Sequence, residues 1–136
     1  MTTDERQLLP WDEARFVLGR EEMDTTHREF VDLLNRLAAA DGAEFMGLFV
    51  ELAQHTRNHF AAESVRMVAS GFPARAEHEG EHDRVLGEVE QIGRRVERGN
   101  LAFGRAYVRE RLPEWFTLHL ATMDAALAAH LASQGG

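Results

Sequence analysis

The chain has no cysteine, which excludes disulfides, thiolate metal sites and cysteine nucleophiles. It also has no lysine: all fifteen basic residues are arginine, set against 23 acidic ones, for a formal net charge of -8. A balance that acidic argues against nucleic acid as a partner, because phosphate binding needs a positive face. No stretch approaches the run of about 20 apolar residues that crosses a bilayer. The opening MTTDERQLLPW carries acidic residues and no apolar run, so it does not read as a secretory signal. A cytoplasmic protein with no membrane partner is expected. Strand signals are nearly missing, with no sustained period-two alternation and no hairpin turn between β-rich runs.

What remains is helical. The 136 residues and 15.4 kDa fit one domain over residues 1–136, burying roughly two-thirds of the surface that the unfolded chain exposes. With 44% hydrophobic and 28% charged residues, the composition is globular rather than disordered. The three prolines, Pro10, Pro73 and Pro113, leave long uninterrupted segments. Residues 1–22 read as an irregular arm, with Trp11, Phe16, Val17 and Leu18 available to pack on a core. A first helix is expected to start near Asp24, whose short carboxylate suits an N-cap. It runs to about Ala40 with Phe30, Val31, Leu33, Leu34 and Leu37 recurring at three and four. A second spans about 43–70 and stops at Gly71-Phe72-Pro73. A third spans about 74–98. The fourth, about 103–132, contains Pro113, which predicts a kink or a late start. Four long helices with short connections imply an all-α, up-down-up-down four-helix bundle over 23–132.

Seven histidines stand at 27, 55, 59, 78, 82, 119 and 130. His59 and Glu63 are four apart on the second helix, as are His78 and His82 on the third. Four residues turn a helix by about 400°, so each pair shares a face. A metal in a bundle core needs ligands of that kind arriving from facing helices. His27 on the first helix and His119 with Asp124 on the fourth complete a set drawn from all four. Imidazole and carboxylate without sulfur suit iron, manganese or zinc. Five imidazoles and two carboxylates exceed the needs of one ion, which favours two metals sharing carboxylates. Asp124 is the awkward member: five residues from His119, it lies about 140° away on a regular helix. Serving one site then requires a site between the two directions or a locally widened helix.

The order His27, His59-Phe60-x-x-Glu63, His78-x-x-x-His82, His119-x-x-x-x-Asp124 resembles the hemerythrin pattern, specifically that of the bacteriohemerythrins. The resemblance covers nearly the whole chain and extends to Trp11, to Met23-Asp24-Thr25-Thr26-His27, to Gly71-Phe72-Pro73 and to Trp115 four before His119. It implies a non-haem pair of iron ions that binds O2 reversibly as a carrier, store or sensor. His78, His82 and His119 would hold one iron and His27 and His59 the other. Glu63 and Asp124 would bridge them, with an oxo or hydroxo as third bridge, and O2 would enter at the two-histidine iron. Phe116 stands where the family usually has a pocket leucine, and His55 replaces a frequent tyrosine. Phe116, Trp115 and His55 are therefore the candidate O2-pocket residues. The alternative is a redox enzyme on the same di-iron site, peroxidase- or catalase-like or reducing nitric oxide. A client oxygenase or redox partner is left open, as is the choice between monomer and small homo-oligomer.

Plainer roles compete at several positions. A lone helical histidine is more often a surface or core residue than a ligand, and His130 near the C-terminus reads as solvated. Asp24, Glu79, Glu81 and Asp83 are candidates to accept from the outer nitrogens of ligand histidines. His78-Glu79-Gly80-Glu81-His82 also matches the H-E-x-x-H motif of zinc proteases. That reading lacks the strands of a substrate-binding sheet edge.

Overall fold

A computed structural model describes residues 7–135; the first six residues of the expected arm lie outside it. Among the described residues there are helices and no strands. The chain runs through α1 (Glu13–Phe16), α2 (Glu21–Ala39), α3 (Gly42–Ser70) and α4 (Arg75–Glu97). It closes with a long final column. That column comprises α5 (Leu101–Ala106), a π-helical segment (Tyr107–Arg111), α6 (Leu112–His119), a second π-helical segment (Leu120–Asp124) and α7 (Ala125–Gly135). Helix α2 packs on α3, α3 on α4 and α4 on α5, with the last column returning against α2 and α3. The four columns form the expected all-α bundle. No helix of the described residues is long and apolar enough to cross a membrane.

Helix α3 is closed locally at both ends, which keeps its connections short. Asp41 accepts from the Glu44 backbone N–H at 3.0 Å and caps α3. Gly71 ends the same helix in the left-handed conformation, φ 64°, a region that costs an L side chain energy and glycine none. The Phe72 N–H then donates back to the Met67 carbonyl at 3.0 Å.

Three boundaries differ from expectation. The arm is not wholly irregular: Asp12 caps α1 by accepting from Ala14 and Arg15, and Phe16 is carried into the core. Asp24 is not the cap of α2, which begins at Glu21. From the first turn, its carboxylate accepts instead from the Leu18 N–H at 2.7 Å and the Gly19 N–H at 3.1 Å, tying the arm to the helix. Pro113 neither ends the last column nor delays its start. The π-helical turn immediately before it gives the wider ladder in which a residue without an N–H, and with a ring crowding the preceding turn, is tolerated.

The apolar core falls into two clusters. The larger gathers Phe16, Phe30, Leu34, Phe45, Phe49, Leu52, Val85 and Phe116 among others. The smaller holds Met23, Met67, Phe72, Leu127 and Ala128. Along the columns, the buried polar residues His27, Glu63, His78, His82 and Asp124 fall between them. Tight packing at the far end depends on Gly104: a Cβ there would lie 2.6 Å from Val96 Cγ2 and 2.9 Å from Phe45 Cε1. Both neighbours are core residues with nowhere to retreat. Gly104→Ala should therefore cost about 1–3 kcal/mol of stability, measured by denaturant unfolding. Unchanged stability would mean that this end of the bundle is loosely packed.

Candidate metal centre

Each column brings its polar residues to one layer. Helix α2 supplies His27; α3 supplies His59 and Glu63; α4 supplies His78 and His82; the last column supplies His119 and Asp124. All seven are buried, with His27 and Glu63 fully enclosed. They form two overlapping groups, Glu63, His78, His82, His119 and Asp124 in one, His27, His59, Glu63 and Asp124 in the other. Within each group the potential ligand atoms lie within 4.8 Å of one another.

The two carboxylates belong to both groups, and each divides its oxygens between them. Glu63 turns Oε2 toward His59 Nε2 at 2.8 Å and His27 Nε2 at 3.9 Å. Its Oε1 faces His78 Nε2 at 3.3 Å and His82 Nε2 at 3.4 Å. Asp124 turns Oδ2 to His27 Nε2 at 3.0 Å, and Oδ1 to His78 Nε2 at 3.1 Å and His119 Nε2 at 3.2 Å. Asp124 reaches the cluster because the column widens between it and His119. The π-helical ladder over Leu120–Asp124 pairs residues five apart, bringing onto one face two side chains that a regular helix would separate.

The donor set fits a metal pair. His82 Nε2 and His119 Nε2 approach to 3.2 Å, and His27 Nε2 and Glu63 Oε1, though close to Asp124 and His78, find no well-aligned hydrogen bond among the described residues. Nitrogen and oxygen lone pairs pointed at one another in a dry interior are costly, and a cation between them removes the cost.

The protonation of the metal-free cluster follows from the same contacts. Burial and the Asp124 carboxylate push Glu63 up, but hydrogen bonds from His59 and His78 outweigh both and hold it at about 2. Asp124 is likewise held well below the usual carboxylate range, against its burial, by His119, His27 and His78. Burial pushes His78 down, yet its bonds to Asp124 and Glu63 prevail and raise it to about 9. His82 lies mainly under the influence of burial, which drives it to about 3.

The candidate pocket residues occupy different places. Phe116 stacks on Phe30 at 5.1 Å between centroids and meets Phe16 and His27 edge-on at 5.5 and 5.8 Å, so it walls the two-histidine side. Trp115 stands on the three-histidine side, its indole stacked on the His119 ring at 4.6 Å. His55 is half-buried between Phe30 and His59, and its Nε2 lies 3.2 Å from Glu29 Oε1. Burial lowers its pKa, with Glu29 opposing.

None of the four acids proposed to brace the histidines does so by a hydrogen bond among the described residues. Asp24 serves the arm, Glu81 accepts from Trp115 Nε1 at 2.9 Å, and Glu79 and Asp83 make no bond to a cluster imidazole. Among the described residues, the outer Nδ1 atoms of His27, His78, His82 and His119 have no protein partner. Sequence reasoning missed two contacts that take this place: Phe60 lies flat on His82 at 3.7 Å, and Glu81 anchors Trp115. Both cross between helices, which no spacing within one helix encodes. His130 is not solvated either; it is half-buried and its Nε2 donates to the Ser70 carbonyl at 2.9 Å.

A four-column bundle enclosing five imidazoles and two shared carboxylates defines a class of helical proteins that hold metal between their columns. The chain belongs to the hemerythrin family: the family's Hemerythrin HHE cation binding domain matches residues 18–131. It is 39% identical over 128 residues to a bacteriohemerythrin of Ralstonia nicotianae, covering 94% of this chain and 92% of that protein. A bacteriohemerythrin of Methylococcus capsulatus is 23% identical over 121 residues, or 86% and 92% of the two chains. Among solved structures, wild-type hemerythrin matches with a TM-score of 0.84 over 92% of this chain and 98% of that one, at 23% identity. A leucine-to-tyrosine hemerythrin mutant matches at 0.85 over 93% and 98%, also at 23% identity. These two likenesses speak to the fold.

The pKa shifts fix how the metal-free protein responds to pH. His78, raised in the folded state, contributes stability that is complete below 6.5 and lost as pH rises through about 9. His82, depressed from 6.5 to about 3, costs stability progressively as pH falls through that interval. Glu63, depressed from 4.5 to about 2, adds a further loss over the lower range. The thermal midpoint of metal-free protein should therefore peak near pH 6.5 and fall on both sides. A midpoint that rises steadily into alkali would contradict the His78 environment.

Proposed function

We propose that this chain holds two iron ions in the cluster and binds O2 reversibly, as carrier, store or sensor. The observation that carries the reading is the sharing of Glu63 and Asp124, each with one oxygen toward each histidine group. His78, His82 and His119 would hold one ion, His27 and His59 the other, and the two carboxylates would bridge. When bound, a ferrous pair supplies two electrons that dioxygen takes up and returns.

The remaining work falls to the chain itself. With two histidines against three, the His27–His59 side would supply its ion with fewer protein ligands than the other. The two-histidine side is walled by Phe116, Phe30 and Phe16, all buried. An apolar wall admits a neutral diatomic molecule and excludes water, which protects the bound state from proton-driven release of reduced oxygen. Phe116, the ring nearest His27 on this wall, is placed to set the space available.

Iron-loaded protein, reduced without air and then exposed to it, should turn reversibly coloured at two irons per chain. His119→Ala should lose iron and colour together. Retention of both irons by that variant would defeat the assignment of His119. Phe116→Leu should speed O2 entry and exit in stopped-flow traces, whereas unchanged rates would remove Phe116 from the gate.

A second reading rests on His55. Its hydrogen bond to exposed Glu29 and its ring centroid 6.2 Å from that of His59 put a titratable group beside the two-histidine side, as a peroxide-consuming enzyme would use. Sustained peroxide turnover with a reductant, abolished by His55→Tyr, would favour this reading over oxygen storage.

A further inference from the structure

We propose that a strip of charged residues on α4, Glu81, Arg84 and Glu88, positions His119 for its metal by gripping the last column through Trp115. The proposal rests on the metal-centre reading above. Ligand imidazoles are ordinarily held by a hydrogen bond at the outer nitrogen, which fixes ring orientation. Here the outer nitrogens of His78, His82 and His119 have no protein partner among the described residues, so orientation falls to ring stacking. His82 is pressed by Phe60 at an interplanar angle of 1°, and Phe60 is buried in the core and cannot move. The ring on His119 is Trp115, only half-buried and stacked at 20°. It restrains His119 only if it is itself restrained.

That restraint comes from the neighbouring helix. Trp115 Nε1 donates to Glu81 Oε1 at 2.9 Å. Arg84 grips the same carboxylate with two prongs, Nη2 to Oε1 at 2.6 Å and Nε to Oε2 at 3.4 Å. Its Nη1 donates to Glu88 Oε2 at 2.8 Å, and Glu88 Oε1 accepts from the Tyr107 hydroxyl at 3.1 Å. Residues 81, 84 and 88 are three and four apart and share one face of α4. Tyr107 and Trp115 lie on either side of Pro113 in the last column. The strip thus ties that column to α4 at two points, Tyr107 at the start of the first π-helical segment and Trp115 within α6, five residues before the second. A π-helical turn has no fixed place along a helix of its own accord, so the ties hold His119 and the widened turn that follows it in register. The charged groups are partly exposed, 49% for Arg84, 26% for Glu81 and 34% for Glu88. Such pairs contribute little to folding stability, and their effect is on position.

Glu81→Leu removes the acceptor, Glu81→Gln keeps it, and Trp115→Phe keeps a ring without the indole N–H. In metal-free protein, proton NMR should show the His119 ring shifted by the stacked indole in wild type and Glu81→Gln. In Glu81→Leu that shift should collapse while the His82 signals stay. In iron-loaded protein, release of metal to a chelator should be about tenfold faster in Glu81→Leu and Trp115→Phe than in wild type, with Glu81→Gln close to wild type. Thermal unfolding of the metal-free variants should barely change. An unaltered His119 shift in Glu81→Leu would overturn the proposal, as would release rates equal to wild type in both Glu81→Leu and Trp115→Phe, or a Gln variant as impaired as the Leu one. Should Glu81→Leu misfold, Trp115→Phe decides the matter. If wild type takes up no metal, the metal-centre reading fails and the His119 shift alone decides positioning.

Discussion

Two carboxylates lie together at the centre of this bundle, Glu63 fully buried and Asp124 nearly so. Like charges in a dry interior repel strongly and are expensive to desolvate. What allows them to stay is the shell of imidazole nitrogen around them, arriving at 2.8 Å from His59, 3.0 Å from His27 and 3.1 Å from His78. Because that shell is drawn from all four columns, the columns must be held in fixed register. The local devices serve that end: the Asp41 cap, the left-handed Gly71, the Asp24 tie to the arm and the close approach at Gly104. Apolar clusters above and below the layer seal it from water.

The two sides of the layer are built from different materials. On the two-histidine side the wall is aromatic and buried, assembled from α1, α2 and the last column, so the short helix in the arm is part of the site's enclosure. On the three-histidine side the rings are braced from α3 and α4, and the brace on His119 ends in charged groups at the surface. The layer therefore has two unlike sides, one of buried aromatic rings and one whose ring stacking ends in partly exposed charged groups.

Much of this was legible in the sequence. The pairs His59 with Glu63 and His78 with His82 obey helical spacing, and apolar residues at three and four marked the columns that carry them. Asp124 was harder, because its placement depends on a widened turn that no residue type announces; only the pattern as a whole pointed to it. Pro113 suggested a kink for a sound reason, but the strain is absorbed by a π-helical turn that leaves the column continuous. Asp24 has the chemistry of a cap and uses it on the preceding loop, since a carboxylate in the first turn can reach either set of free N–H groups. Contacts between helices, such as Phe60 on His82, Glu81 on Trp115 and His130 on Ser70, join residues far apart in the chain. They emerge only once the columns are packed.

The widened turn over Leu120–Asp124 has a consequence for what the chain can afford to lose. A π-helical turn is a helix carrying one residue more than its length needs. Deleting one of residues 120–123 would leave His119 and Asp124 four apart, the spacing at which a regular helix sets two side chains on one face. The carboxylate would stay with the cluster, and Leu127 and Ala128 would still face Met23, Met67 and Phe72. The same deletion in a regular stretch of the column would turn everything beyond it by about 100°. The surplus residue is thus slack, and this turn is the one place near the site where the last column can be shortened without being turned.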